Sequence, residues 1–206
     1  MSMRKIKTLL LTSALIILTS VSYSQDYFQQ EVNYKIDVEL NDKTHSLKAF
    51  EEIEYVNNSP DELNFIYFHL WPNAYKNEQT ALAKQSLEIS NYRWFENKSF
   101  TGYIDSLNFK INGEHAKWEL DGEHIDICKL YLNKPLQPGG KITITTPFYV
   151  KIPHSSISRL GHGGESYQIT QWFPKPAVYD KYRWHPMPYL TLGEFYSEFG
   201  SFDVSI

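Results

Sequence analysis

Apolar and polar residues alternate along the chain from Val32 to Leu40, and this two-residue period constrains the fold more than any other feature of the sequence. Successive side chains of a β-strand point to opposite faces of a sheet, so strict alternation predicts a strand with one buried face. Similar patterns predict strands at 47–56 and 63–70, and turn-forming residues fill 57–61 between them. The simplest arrangement of these three strands is an antiparallel meander.

Between residues 73 and 97 the alternation fails, and residues 78–86 are predicted to form either a short helix or an excursion loop. Strands resume downstream, where the dipeptides Asn112-Gly113 and Asp121-Gly122 indicate tight turns. The further predicted strands are 104–111, 116–120, 125–132 and 141–151, with a loop at 135–140. Because strands recur with turns between them and little helix is predicted, we expect an all-β fold, either an antiparallel β-sandwich or a saddle-shaped sheet.

The N-terminus has the profile of a secretory signal peptide. Three basic residues precede an uncharged stretch from Thr8 to Thr19, which is shorter than the roughly 20 apolar residues that span a bilayer. Cleavage is predicted before Gln25, so that 1–24 is removed and 25–206 forms the mature domain; an uncleaved anchor helix is the alternative. We therefore expect an exported protein, periplasmic, at the cell surface or secreted, with no membrane span after cleavage.

Charge and cysteine content narrow the choice of partners and of covalent stabilisation. Removal of residues 1–24 takes away three of the 20 basic residues and none of the 24 acidic ones, which leaves 17 against 24 and a formal net charge of −7. This balance disfavours nucleic acid as a partner. The single cysteine, Cys128, excludes an internal disulfide, and its place in the apolar run 125–132 predicts a buried, inert thiol.

The sequence contains no complete set of catalytic residues. No two of the seven histidines have the HExxH spacing that places both imidazoles on one helical face, and no GxSxG motif is present. His162 and Glu165 alone leave a metal ion short of ligands, so no metal site is predicted. Gly161–Gly164 lacks the Lys-Ser/Thr of a phosphate-binding loop and is interpreted as a flexible loop. Glu194 and Glu198, at helical spacing, are interpreted as a solvated face rather than an acid–base pair.

An aromatic-rich segment runs from Gln171 to Phe202 and packs ten aromatic residues and four prolines into 32 positions. Rings at this density cover a core edge, line a groove or meet another domain. The simplest interpretation is packing in the core and at a domain interface. The prolines are expected to hold the segment as rigid, non-helical backbone that presents side chains.

Three runs of the sequence resemble the end of the N-terminal domain in zinc metallopeptidases of the aminopeptidase N type, most closely in divergent bacterial members. They are Tyr167–Asp180 (YQITQWFPKPAVYD), Trp184–Pro188 (WHPMP) and Phe199–Ile206 (FGSFDVSI). The Asn112-Gly113 turn and the segment 135–144 also fit this saddle-shaped domain, and the resemblance covers most of residues 27–206. It implies that the HExxH helix and the Gly-x-Met-Glu-Asn substrate strand lie in a following domain. Neither motif occurs here and the sequence stops within a strand-like pattern, so we expect a chain that continues downstream.

The resemblance also assigns roles to individual residues. By position, it implies that Gln171 lines the pocket for the first substrate side chain and that Trp172 stands at a family methionine. Phe173 stands where many members have a glutamate that binds the free α-amine of the substrate. A phenyl ring neither accepts a hydrogen bond from an ammonium group nor pairs with its charge, so strict aminopeptidase specificity does not follow. Together with Tyr179, these residues are expected to form one wall of a peptide-substrate groove.

The function implied by the resemblance is that of an exported metallopeptidase, in which zinc polarises the scissile carbonyl and activates water and a glutamate acts as general base. Those groups would belong to a downstream catalytic domain, so residues 25–206 alone are expected neither to bind zinc tightly nor to hydrolyse peptides. The alternative is a periplasmic or surface β-sandwich binding module without enzymatic activity. Such a module would use the same aromatic residues to bind glycans or a partner protein.

Overall fold

The computed structural model of the chain describes residues 27–90, 93–193 and 195–206, so the predicted signal peptide at 1–24 lies outside the described residues. The strands of the described residues are β1 (Glu31–Asn41), β2 (Ser46–Val56), β3 (Leu63–His69), β4 (Tyr103–Asp105), β5 (Lys110–Ile111), β6 (Glu114–His115), β7 (Trp118–Leu120), β8 (Ile127–Leu136), β9 (Lys141–Lys151), β10 (Gly161–Gly163), β11 (Ser166–Gln168), β12 (Lys175–Pro176), β13 (Tyr179–Asp180), β14 (Arg183–Trp184) and β15 (Phe202–Ser205). The helices are α1 (Ala81–Ser90) and the 3-10 helices Trp71–Tyr75, Trp94–Glu96 and Lys98–Phe100. Within the described ranges, none of these helices has the length and apolar character needed to cross a bilayer.

The long predicted strands are confirmed, with ends shifted by at most one residue in β1, β2 and β9. These strands lie in a seven-stranded sheet with the order β15-β1-β2-β9-β5-β6, and β4 also pairs with β9. On β2, Ile53 and Tyr55 are fully buried whereas the intervening Glu54 is partly exposed and Glu52 is exposed. The alternation in the sequence therefore indicates a sheet that packs one of its faces against the core.

The predicted meander is wrong, because β3 leaves the sheet that contains β1 and β2. It lies in a four-stranded sheet with the order β12-β3-β8-β7, while β2 pairs with β9 along its whole length. The change of sheet occurs in residues 57–61. There the buried Asn57 side chain donates hydrogen bonds to the carbonyl oxygens of Asp61 at 2.7 Å and Leu136 at 3.0 Å. These bonds fix a corner between the sheets at a position where the turn residues alone suggested a hairpin.

Side chains from both sheets share one hydrophobic core. Ile53 and Ile144 of the larger sheet and Phe68 and Leu130 of the smaller sheet belong to the same buried cluster, and each is fully buried. This arrangement confirms the predicted all-β, mainly antiparallel architecture; β15, which pairs in parallel with β1, is an exception. Cys128 is buried as predicted, and its burial raises the pKa of the thiol.

Helical structure packs in a hydrophobic cluster separate from this core. Of the two alternatives for residues 78–86 the helix is confirmed, and α1 begins after Thr80, whose hydroxyl accepts a hydrogen bond from the N–H of Ala83 at 3.2 Å. A second hydrophobic cluster lies here and includes Tyr75, Leu82 and Tyr189. It therefore joins the helical segment to the last third of the chain.

Turn-forming residues predict some of the secondary-structure elements correctly and others wrongly. Asn112 and Gly113 have φ values of 51° and 85° and connect β5 to β6, as predicted for a two-residue hairpin turn. The predicted strand 104–111 is split into β4 and β5, since Ser106 has a φ of 62° that interrupts the extended backbone. The interpretation of Gly161–Gly164 as a flexible loop is wrong, because β10 forms an antiparallel hairpin with β11.

The carboxylate of Glu51 lies in the core. Glu51 points inward from β2 and is fully buried, and neither of its carboxylate oxygens has a hydrogen-bond partner among the described residues. Burial raises the pKa of this carboxyl well above its usual range. A buried charge without a partner is strongly unfavourable, so the folded protein favours the neutral acid.

We expect Glu51→Leu to raise the free energy of unfolding at pH 8 by about 1–3 kcal/mol, because it removes this desolvated group. The folded pKa lies above the unfolded one, so the wild type is most stable below the unfolded pKa and loses stability as the pH rises through that window. The gain should therefore be larger at pH 8 than at pH 5, which urea denaturation measures. Glu52→Leu, on the exposed face, is the control, and a less stable Glu51→Leu protein at pH 8 would contradict the expectation.

Candidate functional site

The predicted wall residues Gln171, Trp172 and Phe173 lie between β11 and β12, and all three are half-buried. Gln171 has a φ of 54°, in the left-handed region that is unfavourable for a residue other than glycine, so the backbone turns sharply here. The Trp172 ring packs on Phe148 of β9, with ring centroids 5.8 Å apart. The Phe173 ring meets Tyr34 of β1 edge-on at 5.4 Å. The segment is therefore mounted on two strands of the larger sheet.

A buried lysine anchors this segment. The Nζ atom of Lys175 donates a hydrogen bond to Oε1 of Gln171, and it lies 4.4 Å from the ring centroid of Trp71 and 5.2 Å from that of Phe173. Lys175 is only 6% exposed, and burial lowers its pKa to about 8. Contacts with the faces of aromatic rings offset part of the lost hydration of an ammonium group. The amide oxygen of Gln171 is thus engaged inside the protein.

His69 completes the buried cluster beneath the wall residues. It pairs with Lys175 between β3 and β12, stacks on Trp71 at 4.4 Å and is fully buried. Its Nε2 atom accepts a hydrogen bond from the N–H of Met187 at 3.1 Å, and a hydrogen bond with the backbone of His185 weakly favours the charged form. Burial, and to a smaller degree the charge of Lys175, lowers the pKa of His69 to about 3. The imidazole is therefore neutral near pH 7 and acts as a structural acceptor.

Tyr179 makes a separate set of contacts from the other predicted wall residues. It lies in β13, and its hydroxyl donates a hydrogen bond to Oδ2 of Asp61 at 2.7 Å. Its ring centroid lies 4.9 Å from that of Trp184 in β14. Burial, together with the Asp61 carboxylate, raises the pKa of Tyr179 to about 12. The structure thus brings Gln171, Trp172 and Phe173 together and attaches Tyr179 to other partners.

Two of the runs that carry the family resemblance meet on Tyr34. Its ring stacks on Phe202 of β15 with centroids 4.6 Å apart, and the rings of Phe173 and Phe202 meet at 5.9 Å. This contact depends on the pairing of β15 with β1, which places Tyr34 opposite Phe202. The runs 167–180 and 199–206 are therefore neighbours in space at the edge of the larger sheet.

A groove of about 270 Å³, called here the aromatic groove, is lined by rings from the N-terminal coil and from the aromatic-rich segment. The rings are those of Tyr27, Phe28, Tyr182, Tyr196 and Phe199. Phe199 is 82% exposed and Tyr182 is 67% exposed, whereas Tyr189 of the same segment is fully buried. The aromatic-rich segment therefore divides between core packing and an open surface.

Two carboxylates also line the aromatic groove, Asp180 and Glu198. Burial alone would raise the pKa of Asp180, but hydrogen bonds from Nε2 of His185 and the N–H of Tyr182, both at 2.8 Å, outweigh it and hold the pKa below its usual value. Burial raises the pKa of Glu198 to about 7, against hydrogen bonds that lower it, and Glu198 Oε1 is buried without a partner among the described residues. The interpretation of Glu198 as part of a solvated helical face is wrong; Glu194 lies outside the described residues.

Sequence reasoning missed His69, Lys175 and Asp180. A lysine between two prolines inside an aromatic run was a usable signal for Lys175, since a lysine with apolar neighbours buries its stem. His69 carried no such signal, because it occupies an ordinary position at the end of a strand. Asp180 lies in the run chosen for its resemblance, but its role in the groove depends on Glu198 and on residues of the N-terminal coil.

Within the part of the chain that the structure describes, no three His, Cys, Asp or Glu side chains are placed to hold a metal ion. The rings of His45 and His162 stack at 3.7 Å, and that of His154 lies 5.8 Å from His162. Nδ1 of His45 is already hydrogen-bonded to the hydroxyl of Tyr167 at 2.7 Å. The zinc implied by the family resemblance therefore has no ligand set among these residues.

No family model and no curated protein matches the chain. Among solved structures, it is similar to a mutant of the M1 zinc metallopeptidase of Deinococcus radiodurans bound to a Tyr-Ser-Ala substrate, with 11% identity over 60% of this chain and 21% of that chain and a TM-score of 0.37. A second mutant structure of that enzyme gives 11% identity over 67% and 24% of the two chains and a TM-score of 0.37. A putative nutrient-binding protein from Legionella pneumophila gives 8% identity over 61% and 40%, with a TM-score of 0.32. The matched region is less than a quarter of each of these metallopeptidase chains.

Proposed function

We propose that the chain is the N-terminal, non-catalytic domain of an exported zinc-dependent metallopeptidase of the aminopeptidase type, and that it forms one wall of the peptide-substrate groove. The contact of Phe173 and Phe202 on Tyr34 carries this proposal. It joins two runs that resemble the end of the family's N-terminal domain, although residues 181–198 lie between them in the sequence. A wall of this kind needs half-exposed side chains on a rigid support, and the segment 171–173 has both.

In this role the chain contributes shape and the exclusion of water rather than chemistry. The rings of Trp172 and Phe173 are held by Phe148 and Tyr34, so they offer apolar surface at little entropic cost. Phe173 offers a ring rather than a carboxylate to the first residue of a peptide. We therefore infer a peptidase that does not depend strictly on a free α-amine.

Zinc and the catalytic residues would belong to a downstream domain of the same polypeptide. Bound zinc would polarise the scissile carbonyl and activate water there. Residues 25–206 would hold no zinc and move no proton in the reaction. Export is proposed from the signal-peptide profile of residues 1–24, which the described residues do not include.

The test combines the coding sequence beyond Ile206 with an activity assay. We expect an HExxH motif with a further glutamate downstream, and chelator-sensitive hydrolysis of aminoacyl or peptide reporters by the full product but not by residues 25–206. In the full product, Trp172→Ala should raise KM more than it lowers kcat, because it removes binding surface and no catalytic group. Chelator-sensitive hydrolysis by residues 25–206 alone would contradict the proposal. Absence of the motif, together with glycan binding by the chain, would favour a binding module instead.

A further inference from the structure

We propose that the aromatic groove binds an organic cation, an ammonium or guanidinium group carried on an apolar stem such as a lysine or arginine side chain. The proposal does not rest on the chain being part of a peptidase. It rests on three features of the groove: exposed ring faces, two carboxylates, and a cation of the chain itself that already lies on one of the rings.

The rings supply an unusual amount of open aromatic surface. Tyr27, Tyr182 and Phe199 are 83%, 67% and 82% exposed, and Tyr196 is 43% exposed. Single exposed rings are ordinary on a protein surface, whereas several around one concave site indicate an interaction surface. Ring faces attract cations through their quadrupole, and an apolar stem gains from covering the ring edges.

The carboxylates determine the charge of the ligand that the groove prefers. Asp180 Oδ1 accepts hydrogen bonds from His185 and Tyr182, and Oδ2 accepts only a longer bond from the Tyr196 hydroxyl at 3.2 Å. Hydrogen bonds from the Gln29 side chain and from the backbone of Tyr179 and Gln30 favour the charged form of Glu198. Its Oε1 atom is buried without a partner among the described residues, so the carboxylate acts on a ligand in the groove through its charge rather than through direct contact at that oxygen. An anionic ligand would be repelled by both groups, whereas a cation would be attracted.

A cation of the chain itself, Lys181, lies on one ring of the groove. Its Nζ atom lies 4.8 Å from the ring centroid of Tyr182. Among the described residues it forms no salt bridge with Asp180, Glu198 or any other carboxylate. One tethered charge on one ring therefore leaves the exposed rings of Tyr27 and Phe199 to a second cation.

Binding should strengthen as the pH rises through 7. Burial raises the pKa of Glu198 to about 7, so its carboxylate is increasingly ionised above that pH. The other titratable groups that face it in the groove are Asp180, Lys181 and the hydroxyls of Tyr27, Tyr182 and Tyr196, with His185 bonded to Asp180. On the core side, the charge of Glu198 also acts on the buried hydroxyls of Tyr34 and Tyr55. Glu198→Gln separates the contribution of Glu198 from all of these, because it keeps the shape and removes the titration.

The intact protein is titrated with Nα-acetyl-arginine methylamide and with Nα-acetyl-citrulline methylamide, a neutral analogue of nearly the same shape, by calorimetry or NMR. We expect the arginine compound to bind about tenfold or more tightly than the citrulline compound at pH 8, and less tightly at pH 6 or in high salt. The lysine analogue should bind comparably to the arginine compound. Equal affinity for the arginine and citrulline compounds, or tighter binding of methyl glucoside than of either, would overturn the proposal.

Two variants locate the site. Glu198→Gln should weaken the arginine compound at pH 8 and remove the pH dependence, and Phe199→Ala should weaken it severalfold without disturbing the fold, because this ring is 82% exposed. Glu88→Gln on α1 and Phe50→Ala on β2, both exposed and outside the groove, are the matched controls and should leave affinity unchanged. If the affinity survives both Glu198→Gln and Phe199→Ala, the cation does not bind in the aromatic groove.

Discussion

Gly200→Ala is expected to detach β15 from β1 and to lower the free energy of unfolding by about 1–3 kcal/mol. A Cβ atom at this position would stand 1.6 Å from the carbonyl oxygen of Val32, so the backbone must move away. The neighbouring hydrogen bonds between β1 and the residues around β15 depend on this close approach of Gly200 to Val32. The N–H of Tyr34 donates to the carbonyl of Ser201 at 2.9 Å, and the Ser201 hydroxyl donates to Oδ1 of Asn33 at 2.8 Å. Amide hydrogen exchange in β15 and urea denaturation measure the two effects.

Gly122→Ala is the matched control, because a Cβ atom there meets nothing within 4 Å. It should change stability by less than about 0.5 kcal/mol. Retention of amide protection in β15 and of full stability in Gly200→Ala would show that the strand does not pack on β1 in this way. Detachment of β15 would also separate Phe202 from Tyr34. The proposed groove wall would then lose the contact between Phe202 and Phe173.

The sequence predicts the positions of the strands better than it predicts which strands pair with one another. The alternation in β1, β2 and β9 identifies strands that present one face to the core, since the period of side chains is a local property. Which strand lies beside which is decided by contacts between distant residues. The side chain of Asn57 bonds to the carbonyl of Leu136, 79 residues away, and this bond helps to turn the chain into the second sheet. A meander was therefore the simplest prediction and the wrong one.

The candidate site was only partly visible in the sequence for the same reason. The resemblance implies a groove wall at the consecutive residues Gln171, Trp172 and Phe173, and the structure shows that they are half-buried. In the cluster beneath them, His69 of β3 pairs with Lys175 of β12, and no local sequence pattern predicts such a contact. The spacing of Glu198 from Glu194 suggests a helix, whereas residues 195–201 have no helical turn.

The second large effect that we expect is a loss of folding stability in acid, caused by protonation of His69. Burial favours the neutral imidazole, so the folded pKa of about 3 lies below the unfolded value. The unfolded chain then binds more protons in this window, and stability is complete above the unfolded pKa and is lost as the pH falls. With an unfolded pKa near 6.5, the wild type should lose about 3 kcal/mol between pH 7 and pH 4 relative to His69→Gln. Urea denaturation of both proteins at several pH values measures this loss.

The comparison with His69→Gln isolates this group from others that titrate in the opposite sense. Burial raises the pKa values of Glu51 and Asp126, so both favour the folded state as the pH falls, but they are common to the two proteins. Glutamine at position 69 retains an oxygen that accepts the N–H of Met187 without titrating. Since the charge of Lys175 adds to the shift, Lys175→Met should raise the pKa of His69 and reduce the loss at pH 4. Parallel stability curves for wild type and His69→Gln between pH 7 and pH 4 would mean that the buried imidazole does not resist protonation.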